Sequence, residues 1–103
     1  MIIFVDIDNT ICYYPLEYDN KDYNNALPIK QRIEKINNLY NNGDTIIYWT
    51  ARGTLTNINW FNVTYKQLNS WGCLFHELRM GKPVYDLFID DKNINSDIYF
   101  DNK

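Results

Sequence analysis

The sequence predicts one α/β domain with a mainly parallel central sheet, three-layered and Rossmann-like. Three observations predict it. Short apolar runs alternate with stretches of helical period. Several of those runs end in aspartate or threonine, as strands do at a ligand-binding rim. The length, 103 residues, suits one modest core spanning 1–103 and leaves no room for a second folded unit.

Ile2 to Val5 is a continuous apolar run, the pattern of a buried strand, and Asp6 ends it. From Cys12 to Leu27 the chain is polar and tyrosine-rich without a helical period. Such a loop in a small domain is functional or partly ordered as a hairpin. Pro28 suits a first helical position, Ile29, Ile33, Ile36 and Leu39 follow at helical spacing, and Gly43 suits the stop. This predicts a helix over 29–41. Thr45 to Trp49 is a second strand, ended by Thr50. Thr56 or Asn57 can cap a second helix with Ile58, Phe61, Tyr65 and Leu68 as its stripe and Gly72 as its end. Cys73 to Leu78 is a weaker strand and Asp86 to Ile89 a fourth, ended by Asp90 and Asp91. The last ten residues suit either a strand or a short helix. One tension stands out. About seven residues join the third and fourth strands, whereas a parallel crossover needs about a dozen. Either that connection is one tight helical turn or a strand boundary is misplaced.

Composition narrows the function. The profile, 46% hydrophobic and 22% charged, is that of a globular protein. A net charge of −3 suits nucleic-acid backbones poorly, so no nucleic-acid partner is expected. A small phosphorylated ligand stays possible, because one local cluster of cations can hold it. No apolar run is long enough to span a membrane. Met1 to Val5 lacks a basic stretch and meets Asp6, unlike a secretory leader. Cys12 and Cys73 have no metal-type spacing and read as free thiols. The expected location is cytoplasmic.

The polar residues fall at strand ends. The first strand ends in Asp6-Ile7-Asp8-Asn9-Thr10, the second in Thr50-Ala51-Arg52, the fourth in Asp90-Asp91. Right-handed crossovers bring such ends to one rim. Four carboxylates there repel one another unless a cation joins them. Oxygen ligands without His or Cys support point to Mg²⁺ rather than Zn²⁺. Lys82, in Gly81-Lys82-Pro83, can neutralise more of the charge. Singly, each residue has a plain structural reading: a cap, a strand-end hydroxyl, a solvated lysine. Their order and placement together favour a site.

That order resembles the four signatures of the haloacid-dehalogenase superfamily of phosphohydrolases. Phe4-Val5-Asp6-Ile7-Asp8-Asn9-Thr10-Ile11 resembles the first, and Ile46-Ile47-Tyr48-Trp49-Thr50 the second. Lys82 matches the third, and Leu87-Phe88-Ile89-Asp90-Asp91 the fourth. Asn9 stands where the family more often has Gly; the position needs a left-handed backbone, which Asn tolerates best after Gly. Thr50-Ala51-Arg52-Gly53, Leu68-Asn69-Ser70-Trp71-Gly72 and Leu78-Arg79-Met80-Gly81-Lys82-Pro83 are similar, more loosely, to small capless members that act as capsule or lipopolysaccharide biosynthesis phosphatases.

The resemblance implies a capless fold and a Mg²⁺-dependent phosphomonoesterase. Asp6 would be the nucleophile, forming an aspartyl-phosphate. Asp8 would be general acid and then base. Thr50 and Lys82 would bind and screen the phosphoryl group, with Asp6, Asp8 and Asp91 or Asp90 around the metal. Asp91 is favoured as the direct ligand because it aligns with the family's Gly-Asp variants. Thr10 would hold the loop beside the substrate. Arg52 would be a second phosphate contact or a structural ion pair. His76 reads as a packing residue. No cap fits between the motifs, so the site is expected to be open. Tyr13, Tyr14, Tyr18 and Tyr23 would then either pack on a sugar or cover the core, and a homo-oligomer could supply a lid. Competing readings are a phospho-accepting signalling module without turnover, a catalytically dead binding domain, and a phosphatase acting on nucleotides or nucleic-acid ends.

Overall fold

The computed structural model describes residues 1–17 and 22–101; Tyr18 lies outside the described residues. Strands β1 (Ile2–Val5), β4 (Thr45–Trp49) and β5 (Glu77–Arg79) form a parallel sheet in the order β1-β4-β5. The register sets Ile2 beside Thr45 and Val5 beside Tyr48, then Ile47 beside Glu77 and Trp49 beside Arg79. A separate antiparallel ribbon joins β2 (Cys12–Tyr13) to β3 (Leu27–Pro28). The tyrosine-rich loop therefore closes as a hairpin, one of its two expected forms. Helices α1 (Lys30–Asn41), α2 (Phe61–Ser70) and α3 (Ser96–Asp101) complete the chain. None of the helices is long and apolar enough to cross a membrane.

The core explains why these segments fold together. Side chains alternate across a strand. Ile3, Val5, Ile46, Tyr48 and Leu78 meet Ile33, Ile36 and Leu39 of α1, Leu68 of α2, and Tyr99 and Phe100 of α3 on one face. The other face carries the exposed Ile2 and Phe4 beside the buried Ile47 and the half-buried Trp49. The helices thus flank a parallel sheet, consistent with the Rossmann-like α/β fold expected.

Four boundaries differ from expectation. Pro28 ends the ribbon rather than opening α1, because the Ile29 amide is committed to the Ile11 carbonyl at 2.8 Å. α2 begins at Phe61 instead of near Asn57. Gly53 and Asn57 both take positive φ, +82° and +58°, so the chain turns there before a helix can start. A Cβ on Gly53 would lie 2.1 Å from the Ile58 carbonyl oxygen, so the turn requires glycine. The third strand is Glu77–Arg79 only; the Cys73 amide is used to close α2 on Leu68. Asp86 to Ile89 forms no strand. The short connection flagged by the sequence does not have to be a crossover, because the fourth strand is not in this chain's sheet. Of the two forms expected for the last ten residues, Ser96–Asp101 takes the short helix, α3.

Candidate functional site

The turn after β1 builds the rim. The Thr10 and Ile11 amides both donate to the Ile7 carbonyl, at 3.1 and 3.0 Å, and Asn9 takes φ +60°. Asparagine thus adopts the left-handed backbone expected of it. This turn presents Asp6 and Asp8 in different surroundings.

Asp6 is 37% exposed at its side chain. It accepts the Thr10 hydroxyl at 3.1 Å and lies 3.3 Å from the Lys82 ammonium. Lys82 is set by its backbone: its amide donates to the Thr50 carbonyl at 3.0 Å, and the Thr54 hydroxyl donates to its carbonyl at 2.8 Å. The Thr50 amide in turn donates to Arg79 at the end of β5. Thr50 is buried, and its Oγ1 accepts the Arg52 amide at 3.1 Å.

Asp8 is more enclosed, 23% exposed, and heavily bonded. Arg52 approaches as a fork, Nη2 to Oδ1 at 2.8 Å and Nε to Oδ2 at 3.0 Å. The Tyr14 hydroxyl donates to Oδ1 at 2.6 Å and the Cys12 thiol at 3.4 Å. The buried Arg52 also donates from Nη1 to Thr64 Oγ1 and Gln67 Oε1, at 3.1 and 2.6 Å, and its guanidinium stands 4.8 Å from the Tyr23 ring centre. Gln67 closes the network on the Tyr23 carbonyl at 2.6 Å.

The electrostatics follow from this packing. Burial opposes the Arg52 charge, but the hydrogen bonds and charge of Asp8 outweigh it and hold its pKa above the usual value. Burial, then the Asp8 hydrogen bond, push the Tyr14 phenol up. Burial first, and the Asp8 charge second, push the Cys12 thiol up to about 12. Arg52 is therefore engaged in a buried ion pair, one of its two expected roles.

The rim thus unites Asp6, Asp8, Thr10, Thr50, Arg52 and Lys82. It does not include Asp90 and Asp91. Both are exposed; the Asp91 amide donates to Asp90 Oδ1 and the Asp91 carboxylate pairs with Lys92 at 2.6 Å. Among the described residues no three His, Cys, Asp or Glu side chains gather where they could hold a metal ion. The metal set expected from Asp6, Asp8, Asp91 and Asp90 is therefore not assembled within one chain, for the same reason that the fourth strand is missing. His76 is structural: its Nδ1 accepts the Ile46 amide at 3.1 Å and its ring lies 4.6 Å from that of Tyr40.

Sequence reasoning missed the partners of Asp8. Tyr14 was visible only as one of a cluster of tyrosines. Thr64 and Gln67 did carry a signal, because they put polar groups next to Leu68 on the helix face that packs inward. Beside Arg52 opens a depression of about 290 Å³ lined by Gly53, Thr54, Asn57, Trp60 and Met80.

No protein-family model matches the chain, and no curated protein matches it significantly. Its fold is similar to that of a structural-genomics target from Vibrio cholerae solved by crystallography. The TM-score is 0.82 at 26% identity, over 99% of this chain and 88% of that one. The two share a compact α/β fold with a parallel sheet flanked by helices.

Proposed function

We propose that the protein is a phosphomonoester hydrolase of the capless haloacid-dehalogenase type, acting through an aspartyl-phosphate on a phosphorylated sugar or related small metabolite. One observation carries the reading. Asp6 is an accessible carboxylate at a strand end, flanked by a lysine ammonium at 3.3 Å and a threonine hydroxyl at 3.1 Å. A nucleophile needs an exposed lone pair, and a dianionic phosphoryl group needs a cation beside it.

In this reading an Asp6 oxygen forms a bond to phosphorus as the bond to the substrate oxygen breaks, and the departing oxygen takes up a proton. Water then attacks the phosphoryl group, releasing phosphate and restoring the carboxylate. Lys82 offsets charge on the phosphoryl oxygens. Asp8 is the proton carrier that the motif implies. Its Oδ1 already accepts Arg52, Tyr14 and Cys12, so the proton it carries falls to Oδ2, which accepts only Arg52 Nε at 3.0 Å and keeps a second lone pair. Mg²⁺ is expected as cofactor, but one chain contributes only Asp6 and Asp8, so no step is assigned to it.

The bonding of Asp8 also favours a second reading, a module that accepts phosphate on Asp6 and does not turn over. Phosphate release from an aryl phosphate and a panel of phosphosugars, with and without Mg²⁺, separates the two. The hydrolase releases phosphate repeatedly, and Asp6→Asn lowers the rate by about a thousandfold or more. A wild type that is labelled once by a small phosphodonor, and is inert to the panel, overturns hydrolysis.

A further inference from the structure

Three observations converge on residues 83–95. The first concerns the arm they form. All of them are exposed, and they form neither helix nor strand. The chain leaves the rim at Lys82 and returns to α1 only at α3, where Asp97 pairs with Arg32 at 2.9 Å. Leu87 and Ile89 are 75% and 87% exposed, although they alternate as strand residues do. The second concerns β1. It pairs with β4 and with no other strand among the described residues, so its outer edge is open, with Ile2 71% exposed. An open apolar edge is a template for another strand. The third is the acid set of the rim, which stops at Asp6 and Asp8.

The arm matches the edge. β1 is four residues followed by Asp6, and Asp86 to Ile89 is four residues followed by Asp90. Aligned in parallel, Leu87 and Ile89 fall on the face of Ile3 and Val5, which packs into the core, and Phe88 falls beside Phe4. The arm cannot make this pairing with its own β1. Lys82 bonds at the level of Thr50, whereas Ile2 lies level with Thr45. Reaching the start of that register means passing β4 and β1, three strand spacings, and descending five residues, about 22 Å at ordinary strand spacing and rise. The four residue steps from Lys82 to Asp86 span about 14 Å at full extension.

We propose that residues 86–91 of one copy pair in parallel with the free edge of β1 in a second copy, giving a reciprocal homodimer. The exchange brings the partner's Asp90 and the partner's Asp91 to the rim that carries Asp6 and Asp8. The exchange stands on sheet geometry; that the four acids then form a metal set rests on the hydrolase reading.

Sedimentation velocity tests the exchange. The wild type sediments as a dimer. The double variant Leu87→Lys with Ile89→Lys sediments as a monomer that keeps its helical far-UV signal, because both side chains are already solvated in a single chain. A chain carrying Phe4→Cys and Phe88→Cys oxidises to a disulfide-linked dimer. A monomeric wild type, or a disulfide formed within one chain, overturns the proposal. Complementation tests the shared site. Co-expressing Asp6→Asn copies with copies carrying Asp90→Asn and Asp91→Asn restores about a quarter of wild-type turnover, because half the dimers regain one of two sites. No recovery with an active wild type overturns the shared site. A dimer that cross-links between chains but whose wild type hydrolyses nothing overturns the hydrolase reading and leaves the exchange supported.

Discussion

Asp6 and Asp8 stand two residues apart on one turn, and the fold surrounds them differently. Asp6 has one cation and one hydroxyl beside it and faces solvent. Asp8 accepts a guanidinium fork, a phenol and a thiol, and is tied through Arg52 to α2. The two carboxylates divide the labour. A group that must form a new bond keeps lone pairs free, whereas a group that must hold a fixed orientation has them occupied. The Arg52 network is also the joint between the β1 turn, the tyrosine-rich ribbon and α2, so this side of the rim is structural as well as chemical.

The sharpest way to break the comparison is on the Asp8 side. Arg52→Met keeps most of the side-chain volume but removes the fork. It takes from Thr64 and Gln67 the donor they share and from Asp8 its charged partner. Truncating one partner of an enclosed ion pair costs about 3–5 kcal/mol. Urea unfolding should register that loss, and Asp8→Asn should also destabilise, since it leaves the buried guanidinium without a counter-charge and turns an amide NH2 toward one arm of the fork. A loss under about 1 kcal/mol for Arg52→Met, within the range of an exposed pair, would mean that the network does not hold the rim.

The Asp6 side should respond in the opposite sense. Lys82→Met removes a cation from a partly open carboxylate, so stability should change by less than about 1 kcal/mol. Turnover should fall by about a hundredfold or more, the scale of losing one preorganised donor to a developing charge. Measuring phosphate release beside urea midpoints checks both halves. A large loss of stability with normal turnover would reverse the roles assigned to the two sides.

This asymmetry was only half legible in the sequence. The apolar runs at Ile2–Val5 and Thr45–Trp49 and the helical spacing of Ile33, Ile36 and Leu39 fix β1, β4 and most of α1, because local burial patterns decide them. Asp6, Thr50 and Lys82 could be placed at one rim because they follow strands or a tight turn. The partners of Asp8 could not. Arg52 and Gln67 make contacts across 44 residues of chain with Asp8 and Tyr23, and periodicity carries no record of such pairs. Asp86 to Ile89 has strand composition and yet no partner strand among the described residues. Composition reports that a segment suits a sheet, while chain length and topology decide whose sheet it joins.

The smallest predicted effect again sharpens the contrast, through a thiol beside Asp8. Burial raises Cys12 to about 12 and Cys73 to about 11 from 9.0, so folding favours the protonated thiols. The unfolded chain loses those protons first as pH rises. Their contribution is therefore fully present below about pH 9 and is lost as pH climbs toward 11 and 12. Each group whose folded and unfolded forms differ by one proton gives a slope of about 1.4 kcal/mol per pH unit within that window. Urea midpoints should fall between pH 9 and 10, and Cys73→Ala should flatten the decline. Cys12 should also react slowly with thiol reagents at pH 8, since little thiolate is present. Rapid labelling of Cys12 in the folded protein would mean that the Asp8 side of the rim is as open as the Asp6 side, and the division between them would fail.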